Sequence, residues 1–86
     1  MNEISLETAI SLAERYLNEV VRNSYDSPKN DRWVISLDKV YDRGGYWALH
    51  YQSELYLKTG NPSYLLAGNL PIKVSRSTGE ILGFER

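Results

Sequence analysis

Histidine, cysteine and carboxylate side chains are the groups that could give this chain a reaction to catalyse, and they are few. The sequence has one histidine, His50, and no cysteine, so thiol nucleophiles and thiolate metal ligands are excluded. A Ser-His-Asp arrangement or an imidazole metal site would have to be built on His50 alone. Asp38 and Asp42 are the carboxylates that a hairpin could bring to it. A carboxylate and imidazole pair without a nucleophile is not a mechanism, so we expect no enzyme, no metal site and no cofactor.

Glycine-rich segments are the other pattern that could bind a charged ligand, and here they indicate turns. Gly44-Gly45 follows Asp42-Arg43 and precedes a strand pattern, which is typical of a hairpin and not of a phosphate loop between a strand and a helix. Gly68 and Gly79 stand where a helical turn ends and where the chain reverses. We therefore assign all four glycines a structural role.

An N-terminal helix is the first element that must position these residues. Apolar residues recur at spacings of three and four, which places them on one stripe of a helix. Ser5 is the expected N-cap and Glu7 lies in the first turn, so the helix should run from there to about Arg22. We expect the opposite face to be solvated. The stripe comprises Ile4, Leu6, Ala9, Ile10, Ala13, Leu17, Val20 and Val21, and the opposite face comprises Glu3, Glu7, Glu14, Arg15, Asn18, Glu19 and Arg22.

Two strands with a period of two follow the turn-forming segment 23–31, and the Asp42-Arg43-Gly44-Gly45 turn joins them into a hairpin. On each strand, alternate residues should face the helix. In the first strand the core face would hold Trp33, Ile35, Leu37 and, as a further candidate, Tyr41, and the other face Val34, Ser36, Asp38 and Val40. In the second strand Trp47, Leu49 and Tyr51 would face the core, and Tyr46, Ala48, His50 and Gln52 would face away.

The remaining third of the chain predicts a short helical turn and two more strands. Asn61 and Pro62 suit the cap and first position of a turn over residues 61–66. A third strand through Ile72 and a fourth over residues 80–84 are separated by a turn at residues 76–79. The fold class is therefore α+β, with one long N-terminal helix on one face of a four-stranded, mainly antiparallel sheet, in a single domain over residues 1–86.

Charge and hydropathy narrow the class of partner and the compartment. Ten basic and eleven acidic residues give a net charge of −1, which offers no attraction to a phosphate backbone, so we expect no nucleic acid partner. No apolar run approaches the roughly 20 residues of a membrane span. The N-terminus lacks the basic and apolar segments of a signal peptide. We expect a cytoplasmic protein that binds neither nucleic acid nor membrane.

The sheet face that the helix leaves uncovered is the expected binding surface. Its predicted residues mix apolar and aromatic side chains with a few charges, as protein interfaces do. A protein partner follows from this composition, and a homodimer stays open as an alternative. The predicted contact residues are Val34, Asp38, Val40, Tyr46, His50, Lys73 and Leu82.

A pattern in residues 59–81 suggests what the partner is. The matching residues are Thr59, Gly60, Leu66, Ala67, Gly68, Asn69, Pro71, Gly79 and Glu80, with Gly45 and Trp47 in the hairpin. This pattern resembles the immunity protein 35 family of bacteria, whose relatives include a small chaperone-like stress protein of enteric bacteria. The resemblance implies a cytosolic protein that binds and neutralises a cognate toxin domain and has no catalytic residue. A chaperone-like stress protein is the second hypothesis and an enzyme the third.

Overall fold

The structure is a computed structural model that describes residues 3–25 and 27–85. Its single sheet has the strand order β1-β2-β3-β4, and all three strand pairs are antiparallel. One helical run packs on one face of this sheet, which confirms the predicted α+β architecture. The elements are α1 (Leu6–Tyr16), a π turn (Leu17–Val21), a 3-10 turn (Arg22–Ser24), β1 (Trp33–Asp42), β2 (Tyr46–Ser53), α2 (Glu54–Thr59), a 3-10 turn (Pro62–Tyr64), β3 (Ile72–Ser75) and β4 (Ile81–Phe84).

The N-terminal helical run begins where the sequence predicted. The Ser5 hydroxyl accepts a hydrogen bond of 3.1 Å from the Thr8 N–H and so caps α1. Small side chains on the inner stripe, Ala9 and Ala13, let the helix approach the sheet closely and are fully buried. The set of residues that faces the sheet changes at the π turn, because a π turn has more residues per turn than an α-helix. Val21 therefore packs on the core and Val20 is 51% exposed, so the predicted burial of Val20 was wrong.

Strand β1 contains an irregularity that changes which of its later residues face the core. Ile35 pairs with Tyr51 and Val40 pairs with Leu49, so residues 36–39 lie opposite His50 alone. Because each extra residue in a bulge shifts the alternation of faces, the simple period of two fails there. Val40 packs on the core beside Leu49, and Leu37 is 74% exposed. The prediction of Val40 on the uncovered face and of Leu37 in the core was therefore wrong.

The core lies between the helical run and the inner face of the sheet. Strand β2 follows its predicted alternation, and it pairs with β1 on one side and, over residues 46–49, with β3 on the other. The buried apolar residues of the core cluster are Ala9, Ala13, Leu17, Trp33, Ile35, Leu49, Tyr51, Ile72 and Val74.

The segment between β2 and β3 begins with a helix that the sequence analysis did not assign. The Ser53 hydroxyl caps α2 by accepting a 3.2 Å hydrogen bond from the Tyr56 N–H, and Gly60 ends the helix in a left-handed conformation. The predicted turn follows, capped by the Asn61 side chain. Within the described residues, no helix has the length and apolar character needed to cross a membrane.

Side-chain amides extend the sheet where β3 has not yet begun. The Asn69 amide donates a 3.1 Å hydrogen bond to the Tyr51 carbonyl. The Gln52 side chain accepts from the Leu66 N–H at 2.8 Å and donates to the Leu66 carbonyl at 3.2 Å. These contacts satisfy backbone groups that lack a strand partner, and they hold residues 65–69 beside β2.

Candidate functional site

The face of the sheet opposite α1 is the candidate site, and we call it the helix-free face. Residues that pair directly across antiparallel strands share a face, so the register defines its members. Val34 pairs with Gln52, Ala48 pairs with both Tyr41 and Lys73, and Lys73 pairs with Gly83. By this register and the alternation of β2, the helix-free face includes Val34, Tyr41, Tyr46, Ala48, His50, Gln52, Lys73, Ser75 and Gly83.

Four of the seven predicted contact residues lie on the helix-free face, namely Val34, Tyr46, His50 and Lys73. Val40 lies on the opposite face, for the reason given above. Asp38 is exposed within the irregular segment of β1, at the edge of the sheet. In β4 a second irregularity places Gly83 opposite Lys73 and leaves Leu82 without a register partner, and Leu82 is 43% exposed and lies outside the core cluster. The role of these residues in contacting a partner stays a prediction.

The carboxylate and imidazole pair considered for catalysis is not formed. The Asp42 carboxylate pairs with the Arg76 guanidinium and accepts a 2.8 Å hydrogen bond from the Gly44 N–H. Arg76 and this N–H hold the pKa of Asp42 below its ordinary value. The His50 ring instead meets the Tyr41 ring edge-on, with centroids 5.7 Å apart. His50 is thus part of an aromatic surface.

A network at one end of the helix-free face links the β1–β2 hairpin to the end of β4. The Arg43 guanidinium donates hydrogen bonds of 3.0 and 3.2 Å to the two oxygens of the Glu85 carboxylate. The Tyr46 hydroxyl donates a 2.8 Å hydrogen bond to the same carboxylate. This geometry fixes the Tyr46 ring on the face of the sheet. Neither Arg43 nor Glu85 was predicted as a site residue.

Two tyrosine rings on the helix-free face are each in contact with a cationic side chain. The Arg43 guanidinium lies 5.1 Å from the centroid of the Tyr41 ring, and the Lys73 ammonium lies 4.9 Å from that of the Tyr46 ring. Such contacts are favourable and orient both partners. We call Tyr41, Arg43, Tyr46, Lys73 and Glu85 the aromatic–cation cluster. Ala48, between Tyr41 and Lys73 in the register, is fully buried although no helix covers this face.

Glu85 provides a titration test of the network. Its hydrogen bonds from Arg43 and Tyr46 lower the pKa of the carboxyl group below its ordinary value of 4.5. We expect ¹³C NMR titration of the side-chain carboxyl to give a value under 4.5. Arg43→Gln should raise this pKa more than Tyr46→Phe does, because Arg43 is the larger cause. A value at or above 4.5 in the unsubstituted protein would show that the network does not form in solution.

The sign of the pH dependence follows from this direction. A carboxyl group with a lowered pKa in the folded state binds its proton less readily than in the unfolded chain. The contribution of the Arg43–Glu85 pair to stability is therefore present above the ordinary value of 4.5 and is lost as pH falls through the folded pKa. The Arg43 side chain is 45% exposed, so salt should screen part of this interaction.

A third cation on an aromatic ring lies on the other face, and it has carboxylate counter-charges within the domain. The Arg76 guanidinium lies 4.6 Å from the centroid of the Trp47 ring. It forms ion pairs with both Asp42 and Glu3. Arg76 thus has its counter-charges within the domain, in contrast to Lys73. We assign this cluster a structural role in joining the N-terminus to the hairpin.

An open groove at the far end of the sheet is lined by aromatic rings. Tyr25, Trp33, Tyr51 and Phe84 form a chain of rings with successive centroid distances of 5.6, 5.6 and 6.3 Å. The two middle rings are buried. This row of rings therefore closes the end of the core, where β2 has no paired residues of β3 beside it.

Neither metal-ligand geometry nor similarity to known proteins assigns a function to this chain. Among residues 3–25 and 27–85, no group of three or more histidine, aspartate and glutamate side chains is placed to hold a metal ion. Comparisons with protein-family models, with curated proteins and with solved structures gave no match for this chain.

Proposed function

We propose that this chain is an immunity protein that binds a cognate bacterial toxin domain through the helix-free face and neutralises it. The observation that supports this proposal is the aromatic–cation cluster, in which two tyrosines are fixed on an uncovered sheet face by two cations and a carboxylate. The resemblance in residues 59–81 supplies the toxin as the class of partner.

The cluster has the properties of an interface centre. Tyrosine and arginine are enriched among the residues that contribute most to protein binding, because they offer large contact area. A tyrosine loses little side-chain entropy on binding, and here its ring is already held before the partner arrives. An antidote must bind tightly and dissociate slowly, since a free toxin molecule harms the cell. A fixed aromatic centre favours both properties.

The test is protection of cells from a toxin. The proposal requires a toxin domain encoded beside this chain's gene; that domain is expressed with and without the protein, and cell survival and complex affinity are measured. The double variant Asp38→Ala with Tyr46→Ala should weaken the complex at least about tenfold, because it removes a central ring and a rim charge. Glu7→Ala, an exposed carboxylate on α1, should change neither measurement.

Tyr46→Phe separates loss of the ring, which should weaken binding, from loss of the hydroxyl, which holds the ring in place. This variant keeps the ring and removes only the hydroxyl that donates to Glu85. Variants are compared at matched folded fractions, measured by circular dichroism. If the folded double variant protects cells and binds the toxin as well as the unsubstituted protein does, the helix-free face is not the binding surface. If the unsubstituted protein gives no protection, the immunity function is wrong.

A chaperone-like activity is the second candidate, and one observation favours it. Several large apolar side chains are exposed on different segments, including Leu37 on β1, Leu57 on α2 and Leu70 before β3. Exposed apolar side chains can hold unfolded clients. Suppression of heat-induced aggregation of two unrelated client proteins would support this function. Binding to a single partner with no such suppression would exclude it.

A further inference from the structure

Lys73 differs from the other cation of the aromatic–cation cluster in having no carboxylate of its own. Within residues 3–25 and 27–85, its ammonium forms no ion pair, whereas Arg43 binds Glu85 through two hydrogen bonds. Lys73 lies on β3, an interior strand, between Ala48 and Gly83. It therefore lies near the middle of the helix-free face, beside the Tyr46 ring.

Glu85 does not supply the missing counter-charge. Its oxygens already accept three hydrogen bonds, two from the Arg43 guanidinium and one from the Tyr46 hydroxyl. Lys73 does lower the pKa of Glu85, but as the smallest of the causes. The cluster thus holds two cations and one carboxylate, an excess of one positive charge.

Burial of this face by a partner would remove water from the Lys73 ammonium. A buried charge without a counter-charge is costly, and the ring of Tyr46 offsets only part of that cost. A partner that covers the face tightly must therefore bring an anion to this position. A partner without one would bind weakly, because the ammonium would be left unpaired.

We propose that the partner of the helix-free face is a protein surface that presents an aspartate or glutamate side chain, whose carboxylate binds the Lys73 ammonium beside the Tyr46 ring. This inference rests on the proposed function for the identity of the partner, since the toxin domain would carry the carboxylate. The charge excess selects against basic partner surfaces, and it distinguishes this face from the paired Arg76 cluster on the other side of the sheet.

A protein carboxylate fits this position better than the phosphates of a nucleic acid. Nucleic acid binding relies on several cations spread along a groove or a face. The helix-free face offers one unpaired ammonium beside the half-buried Tyr46 ring, and the chain has a net charge of −1. One unpaired cation beside an aromatic ring suits a protein interface better than a nucleic acid groove.

The first experiment needs no identified partner. An acetylated and amidated hexaglutamate peptide is titrated into the ¹⁵N-labelled protein at millimolar concentration. We expect amide shift changes to concentrate at Tyr46, Lys73 and Gly83 and to vanish at high salt. Lys73→Glu should abolish them, and Lys29→Glu, the same charge change in an exposed turn, should leave them in place. Shift changes that are absent or unaffected by Lys73→Glu would overturn the inference. Larger changes with a single-stranded hexathymidylate would overturn it in favour of nucleic acid.

The second experiment uses the toxin domain. Lys73→Glu should weaken its complex by roughly thirtyfold, as expected for losing a charged pair at an interface, and Lys29→Glu should have little effect. A compensating acidic-to-lysine substitution in the toxin should restore affinity to the Lys73→Glu variant. If the unsubstituted protein protects cells and Lys73→Glu binds as Lys29→Glu does, the charge inference fails while the immunity function stands. If no protection occurs, the immunity function fails and the peptide titration alone decides the charge inference.

Discussion

Asp31→Ala should lower the free energy of unfolding by about 2–4 kcal/mol, because this carboxylate is 6% exposed and organises three donors. It accepts hydrogen bonds of 2.6 Å from the Ser53 hydroxyl, 3.0 Å from the Leu55 N–H and 2.8 Å from the Arg32 N–H. In Asp31→Ala, the first turn of α2 would lose the carboxylate that accepts from the Leu55 N–H. In a domain of this size the melting temperature should fall by roughly 10–20 °C, measured by urea and thermal unfolding.

Two further variants show whether the hydrogen bonds are the cause. Asp31→Asn keeps the size and one acceptor, so it should cost less than the alanine. Ser53→Ala removes both the partner of Asp31 and the cap of α2. Since the two side chains share one bond, the double variant should lose less than the sum of the single losses. Asp38→Ala, an exposed carboxylate on β1, is the matched control. If Asp31→Ala and Asp38→Ala had equal effects, the buried carboxylate would have no special role.

The elements that the sequence predicted well are those set by local pattern. The cap at Ser5 and the apolar spacing of the helix depend only on residues within a few turns. Strand β2 was assigned correctly on both faces because it pairs one to one with its neighbours over most of its length. The turn at Asn61 and Pro62 is likewise local. These features could be derived because no distant contact competes with the local preference.

The errors have a physical origin in contacts between distant segments. The irregular segment 36–39 of β1 moved Val40 to the core face, and no residue type in that segment signals a bulge. Arg43 and Glu85 meet only because four strands place a turn beside the chain's last described residue. The candidate site was therefore half predictable, since its location follows from the alternation of residues along the strands, whereas its charge network depends on how the sheet brings distant segments together.

The predicted solvated face of the N-terminal helical run shows the same limit. Glu14 and Asn18 were expected to face water, yet both reach the outer edge of β1. The Asn18 amide accepts from the Trp33 N–H at 2.8 Å and donates to the Trp33 carbonyl at 2.9 Å. The Glu14 carboxylate accepts from the Ile35 N–H at 2.9 Å. These side chains occupy the backbone groups that an edge strand would otherwise present to another chain.

Asn18→Ala should therefore destabilise the fold and promote association. The Trp33 N–H and carbonyl would lose their partners, and the Glu14 carbonyl would lose the 2.7 Å bond from the same amide. We expect the free energy of unfolding to fall by about 1–3 kcal/mol. The freed edge of β1 should also pair between molecules, so that sedimentation at high protein concentration gives a larger mean mass than for the unsubstituted protein.

Asn18→Asp isolates the role of the amide group in this contact. It keeps the size and the acceptor for the Trp33 N–H, but it places an oxygen against the Trp33 and Glu14 carbonyls, which the amide nitrogen had bridged. Its loss of stability should match or exceed that of the alanine. Glu19→Ala, which removes only the exposed pair with Arg15, should change stability by under about 0.5 kcal/mol. If Asn18→Ala also stayed within that range and kept the original mass, water would satisfy the edge of β1 as well as Asn18 does, and α1 would not guard it.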